Sequence, residues 1–252
     1  MSSITPDHTL VLVSGANQGL GYETVKKLAA EQPNYHILLG SRNFENGKKA
    51  ADAITGLAKG TSVEPIQLDI GSDSSIAEAA KYVEEKYGRL DVLFNNAGIS
   101  NVKDASFREQ FDGVLSTNVT GYACTTEAFI PLLRKSSTPR LVFMSSGLGS
   151  LTCQLDPKWP FHGLGNESQY KAYITSKCAD NMLAVLYAVQ LGKEGFKVNM
   201  ICPGHRPTNL NGYSEQASNL SDGAVQACKR IVDTDKNGDH ATFTSMDFVY
   251  PW

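Results

Sequence analysis

Short, continuously apolar runs alternate along the chain with stretches whose apolar residues recur at helical spacing. Leu10-Val11-Leu12-Val13 stops at Ser14-Gly15, the pattern of a strand buried on both faces. Leu20, Thr24, Val25, Leu28 and Ala29 then share one helix face until Pro33. The alternation continues with a strand at His36–Gly40, an Ala- and Lys-rich helix at Phe44–Leu57 and a strand at Val63–Leu68. A helix at Ser75–Tyr87, capped by Ser72 or Asp73, leads to a strand at Leu90–Phe94. Strands at Leu141–Met144 and Lys197–Ile201 and a last one at Thr242–Val249 complete the series. This order predicts one α/β domain over residues 1–252, a doubly wound parallel sheet with helices on both faces and ligands at the carboxyl ends of the strands.

The first strand-to-helix turn reads Gly15-Ala16-Asn17-Gln18-Gly19-Leu20-Gly21. Glycines there let the backbone turn tightly and approach a diphosphate, whose charge meets the unpaired N–H groups of the helix N-terminus. A tight turn with no ligand needs fewer glycines. The second strand ends in Gly40-Ser41-Arg42, where an acidic residue would bind the ribose hydroxyls of NAD. The Arg42 guanidinium offers a fork to a 2′-phosphate instead, although a solvated surface charge is the alternative. Asp69 after the third strand can accept from an adenine amino group or orient the following loop. Tyr173 and Lys177, four apart, share a helix face. A phenol is a poor proton donor at neutral pH unless an ammonium lies beside it, yet that spacing alone is more often an ordinary helix pair.

The 252 residues are 41% hydrophobic and 19% charged with a net charge of −3, which points neither to nucleic acid nor to an anionic membrane. The five cysteines are widely spaced without a C-x-x-C pair, so reduced thiols are expected rather than disulfides or zinc. Without a leader-like start or a long apolar stretch, the expected location is cytoplasmic, and the sequon at Asn166-Glu167-Ser168 reads as a chance match. Asp233-Thr234-Asp235-Lys236-Asn237-Gly238 mimics half of a calcium loop, but Thr244 stands where its bidentate glutamate belongs, and a polar turn is the better reading.

The ordered set Gly15-x-x-x-Gly19-x-Gly21, Asp69 and Asn95-Asn96-Ala97-Gly98 resembles the short-chain dehydrogenase/reductase family. Asn118-Val119-Thr120-Gly121, Ser145-Ser146, Tyr173 to Lys177, and Pro203-Gly204 with Thr208 extend the resemblance over nearly the whole chain. It implies a Rossmann-like, mostly parallel seven-stranded sheet and a cofactor crossing between the first and fourth strands. It also implies Asn118, Ser146, Tyr173 and Lys177 as the catalytic set. Ser146 is preferred to Ser145 because Gly149 follows it at the family's interval. Cofactor contacts are implied at Gly15, Asn17, Gln18, Gly19, Leu20, Gly21, Arg42, Asp69, Ile70, Asn96, Ala97, Gly98, Tyr173, Lys177, Pro203, Gly204 and Thr208. The expected activity is reduction of a ketone, aldehyde or imine of a medium-sized hydrophobic molecule by NADP(H), as in the carbonyl reductase branch and secondary metabolism, and reversible as alcohol oxidation. A cyclase on the same scaffold and a non-catalytic NADP(H) sensor are the alternatives.

Two departures from the family pattern stand out. Ser146 and Tyr173 lie about twice the usual interval apart, which implies an insertion at about 151–165. Its Trp159 and Phe161 either wall an apolar substrate or pack on one another, while Asp156 and His162 read as solvated. A substrate loop follows at about 205–220. The carboxyl end, Phe248-Val249-Tyr250-Pro251-Trp252, lacks the glycine-rich segment many relatives use between subunits, and monomer and homodimer both stay open.

Overall fold

The computed structural model describes residues 7–215 and 217–252. Its seven strands form a single sheet in the order β3-β2-β1-β4-β5-β6-β7, and every pairing between named strands is parallel. The strands are β1 Thr9–Val13, β2 Tyr35–Ser41, β3 Ser62–Gln67, β4 Val92–Asn95, β5 Arg140–Met144, β6 Lys197–Ile201 and β7 Phe243–Thr244. The helices are α1 Gly19–Glu31, α2 Phe44–Asp52, α3 Asp73–Tyr87, α4 Phe107–Leu115, α5 Gly121–Leu133, α6 Leu151–Leu155, α7 Ser168–Leu191 and α8 Gly223–Val232.

Two cores result because side chains alternate across each strand. Leu10, Leu12, Leu93, Leu141, Phe143, Val198 and Met200 face α3, α5 and α7. Val11, Val13, Phe94, Val142, Met144 and Ile201 face α1 and α8. The winding reverses between β3 and β4, so β1 lies between β2 and β4 and a crevice opens at the carboxyl ends of β1 and β4.

Three elements differ from the expected ones. The helix read as Phe44–Leu57 ends at Asp52, where the chain turns so that the Ala58 N–H can bond the Ala29 carbonyl at 2.7 Å. The strand read as Thr242–Val249 is only Phe243–Thr244. Ser245 N–H bonds the Phe248 carbonyl at 2.7 Å, and Tyr250 N–H returns to the Phe243 carbonyl at 2.8 Å. Phe243, one of the expected strand positions, therefore stacks with Tyr250 from beyond that stretch, at 4.9 Å between ring centres. The third is the insertion, which is not a structureless loop: Ser150 caps α6, and a 3₁₀ turn at Leu164–Asn166 leads into α7.

The calcium-loop mimic is a polar turn, as expected. Asp233 and Asp235 accept from the N–H groups of Asp235 and Asn237, and the Lys197 ammonium lies 2.6 Å from the Asp233 carboxylate.

Candidate active site

The glycine turn between β1 and α1 leaves no room for side chains at Gly15 and Gly21 and holds Gly19 in the left-handed region. Gly15 has φ +61°, and a Cβ there would lie 2.7 Å from the Ala97 Cβ. A Cβ on Gly21 would lie 2.8 Å from the Gly15 carbonyl oxygen. At Gly19, φ +58°, the nearest group would be the Thr208 methyl at 3.9 Å, so Thr208 reaches the turn from beyond β6. Gln18 occupies the N-cap of α1 without a side-chain bond, and the first turn carries no acidic residue. The N–H groups of α1 thus lack a side-chain acceptor at its N-terminus, where a diphosphate fits.

Asn96 secures this turn from β4. Its side-chain N–H groups donate to the carbonyls of Ser14 at 2.9 Å and Gly15 at 3.2 Å. The Ser14 hydroxyl in turn accepts from the N–H groups of Asn96 and Ala97. Of the residues read as cofactor contacts, Asn96 therefore uses its amide protons within the protein. At the end of β2, the Ser41 hydroxyl donates to the Asn43 carbonyl, while Arg42 is exposed and its guanidinium has no partner among the described residues. Asp69 accepts from the Gly71 N–H at 3.0 Å, so it does orient the next loop. Ile70 is buried against Gly121, where a Cβ would approach its carbonyl to 2.8 Å.

The catalytic candidates converge from three elements. Helix α4 passes into α5 through a π-helical turn at Ser116–Thr120, with the buried Asn118 at its centre. A π-turn is typical of functional positions because it shifts a side chain out of helical register. The Asn118 oxygen accepts from the Ile99 N–H, and its amide donates to the Ile99 carbonyl and the Ser176 hydroxyl, each at 2.9 Å. Asn118 thus ties the segment after β4 to α7.

The adjacent serines at the end of β5 separate cleanly. Ser145 is buried and donates to Asn181 at 2.5 Å, whereas half-buried Ser146 caps the 3₁₀ turn Gly147–Gly149 and interacts with the Tyr173 hydroxyl. Gly149 is required there because a Cβ would come within 2.6 Å of the Lys177 carbonyl carbon. Burial raises the Tyr173 phenol above its ordinary pKa, against the lowering effects of Lys177 and Ser146. Tyr173 is consequently a protonated phenol at neutral pH.

Lys177 is 3% exposed and donates to the Met144 carbonyl at 3.0 Å and to Asp180 at 2.8 Å. Burial alone would lower its pKa, but the Asp180 carboxylate and then the phenol groups of Tyr122 and Tyr173 reverse the shift and keep it protonated. Burial pushes the Asp180 carboxyl up to about 6 in spite of Lys177. Asp180 and Tyr122 had not been singled out in the sequence. The signal for Asp180 was present: it falls in the buried series Ala172, Ser176, Asp180 and Ala184 of α7, where a carboxylate needs a partner.

The insertion and the substrate loop meet over this region. The rings of Trp159 and Phe161 contact edge to face at 5.3 Å, and Phe161 does the same with His205 at 6.2 Å. The Ser100 hydroxyl donates to the Leu210 carbonyl at 2.7 Å, tethering the loop to the end of β4. Asp156 and His162 are exposed, as expected of solvated residues. Pro203 and Gly204 follow β6, and the Cys202 thiol accepts from the Gly147 and Gly204 N–H groups. An apolar groove of about 370 Å³ opens on the far side of α7, between Leu148, Leu151, Ile174 and Met182, and holds none of the catalytic candidates.

Comparison with known proteins places these features in context. The model of the short chain dehydrogenase family matches residues 9–157. A short-chain dehydrogenase, anuI, of Penicillium roqueforti is 41% identical over 216 residues, 81% of each chain. A (+)-neomenthol dehydrogenase of Capsicum annuum is 27% identical over 84% of this chain and 88% of its own. Salutaridine reductase of Papaver somniferum superimposes with a TM-score of 0.74 over 95% of this chain and all of its own, at 22% identity.

Proposed function

The chain belongs to the short-chain dehydrogenase/reductase family, oxidoreductases that use a nicotinamide cofactor on CH–OH and C=O groups of small molecules, and we propose that it is an NADPH-dependent carbonyl reductase. The observation that carries this reading is the protonated Tyr173, in reach of Ser146 and beside a buried, charged Lys177, at the strand ends next to the glycine turn. NADPH, when bound, supplies the hydride. Ser146 hydrogen-bonds the carbonyl oxygen, where negative charge grows in the transition state. Tyr173 gives its proton to that oxygen. Lys177 has one ammonium proton beyond those bonded to Met144 and Asp180, which would be available to the ribose of a bound cofactor. Asn118 holds the segment after β4 and helix α7 in register for this transfer.

Support for NADPH over NADH comes from Arg42, exposed and without a partner among the described residues at the end of β2, where the sequence has no acidic residue. Gly15, Gly19 and Gly21 with Gln18 at the N-cap form the diphosphate seat, and Thr208 borders it. Trp159, Phe161 and His205 supply an aromatic rim suited to a hydrophobic ketone, aldehyde or imine of medium size. That the chain resembles a neomenthol dehydrogenase agrees with a hydrophobic cyclic substrate.

NADPH oxidation against a panel of ketones, quinones and imines tests the reading. Wild type is expected to turn over at least one class and Tyr173→Phe to lose about two orders of magnitude or more of that rate. A mutant as active as wild type overturns the assigned chemistry. In the same assay Arg42→Ala is expected to lose the preference for NADPH over NADH; a preference left intact removes Arg42 from the 2′-phosphate site.

A further inference from the structure

Among the buried polar groups that the proposed chemistry does not use, Asp180 is a carboxylate in direct contact with Lys177. It lies one helical turn after Lys177 on the inward face of α7 and is fully buried. One carboxylate oxygen is 2.8 Å from the Lys177 ammonium, and the other has no hydrogen-bond partner among the described residues. The surroundings are otherwise neutral. Tyr122 of α5 presents its ring 5.1 Å from the ammonium, and its hydroxyl is buried beside it. Met144 at the end of β5 offers its carbonyl, Tyr173 lies one turn earlier on α7, and the Cys202 thiol follows β6. Among the described residues no second cation faces this cluster to balance the carboxylate.

Away from water, a charge is felt strongly over several ångströms, and a cation held against an anion acts at a distance as a weaker dipole. Tyr173 therefore feels Lys177 and Asp180 together.

We propose that Asp180 is a positioning residue that fixes the Lys177 ammonium and screens its charge from Tyr173, holding the phenol protonated so that the site is set to donate a proton rather than to accept one. Lys177 and Asp180 act on the Tyr173 phenol in opposite directions, the lysine lowering and the aspartate raising it. Replacing the carboxylate by an amide of the same shape keeps a hydrogen-bond acceptor for Lys177 and removes the screen. With the Lys177 ammonium still held by the Met144 carbonyl and the amide oxygen, the phenol becomes the stronger acid and is deprotonated at lower pH. The significance for direction of catalysis rests on the proposed role of Tyr173, but the ionisation itself does not.

The test is a titration of the full chain without added cofactor, with tyrosines carrying ¹³C at Cζ. The Tyr173 signal is assigned by its loss in Tyr173→Phe, and NMR spectra are taken from about pH 6 to about pH 11. Asp180→Asn is expected to ionise Tyr173 about one pH unit below wild type, and Asp180→Glu to restore the wild-type titration. Circular dichroism verifies that each variant is folded; if Asp180→Asn does not fold, Asp180→Ser takes its place under the same criterion. A folded charge-removing variant whose Tyr173 titrates with wild type, or stays protonated with it across the range, overturns the proposal. Because no substrate or turnover enters the measurement, loss of the reductase reading and loss of this one are separable.

Discussion

The side-chain amide of Asn118 donates to the Ser176 hydroxyl at 2.9 Å, joining the π-turn of the α4–α5 helix to α7 one residue before Lys177. The Ser176 hydroxyl in turn donates a hydrogen bond to the Tyr173 carbonyl at 2.7 Å, so Asn118 is linked to the backbone of the catalytic tyrosine through one hydroxyl.

Asn118→Ala leaves the N–H and carbonyl of Ile99 without their side-chain partners in a half-buried setting. It is expected to cost about 1–3 kcal/mol of stability, measured by urea denaturation. With a responsive carbonyl substrate, kcat is expected to fall more than KM rises, because the lost contacts orient Tyr173 rather than hold substrate.

Gly147 lies against the Tyr250 ring: a Cβ would come within 2.6 Å of it. Gly147→Ala is expected to displace the carboxyl-terminal strap and Ser146 beside it, lowering NADPH oxidation about tenfold or more. Adding Tyr250→Ala removes the clash, and the double variant is expected to recover part of that loss. Additive losses in the cycle would show that the two residues do not interact.

Glu64 anchors a cluster far from the site. It accepts from Lys86 at 2.7 Å and Tyr87 at 2.8 Å, and also from Tyr82, with His36 at 3.2 Å. Burial would raise its carboxyl, but bonds from His36, Lys86, Tyr82 and Tyr87 outweigh this and hold it well below the usual range. A carboxylate whose folded pKa is depressed stabilises the fold above its unfolded pKa, and that contribution is lost as pH falls toward the folded value. Glu64→Gln is expected to be about 1–2 kcal/mol less stable than wild type at neutral pH, a gap that narrows below about pH 4. Paired denaturation curves at neutral and acid pH measure it.

Phe161→Ala breaks the aromatic contact with His205 and opens the rim between the insertion and the substrate loop. For a bulky hydrophobic ketone KM is expected to rise about tenfold, while a small aliphatic ketone is affected little. Equal effects on both would assign Phe161 to packing of its own loop.

Most of the strand series was legible because buried parallel strands read as unbroken apolar runs, and β1, β2, β5 and β6 each begin or end within two residues of expectation. The carboxyl-terminal residues were misread because Phe243, Phe248 and Tyr250 suit a strand as well as a folded-back strap. Periodicity cannot distinguish the two where stacking across a turn decides. Asp180 was hidden for a different reason: an acidic residue on a helix is usually solvated, and only its position opposite Lys177 reverses that expectation.

By itself the sequence determined the order of elements, the glycine turn and the helical pairing of Tyr173 with Lys177, since these rest on local backbone freedom and the periods of strand and helix. Only the tertiary structure decided which serine faces Tyr173, that Asn96 uses its amide to hold the glycine turn, and that Lys177 is matched by a buried carboxylate. The first two are meetings of groups from separate elements, and the third pairs two residues on one turn of α7 that only packing takes out of water. There, hydrogen bonds and charges act through distance and exclusion of solvent, which residue order alone does not specify.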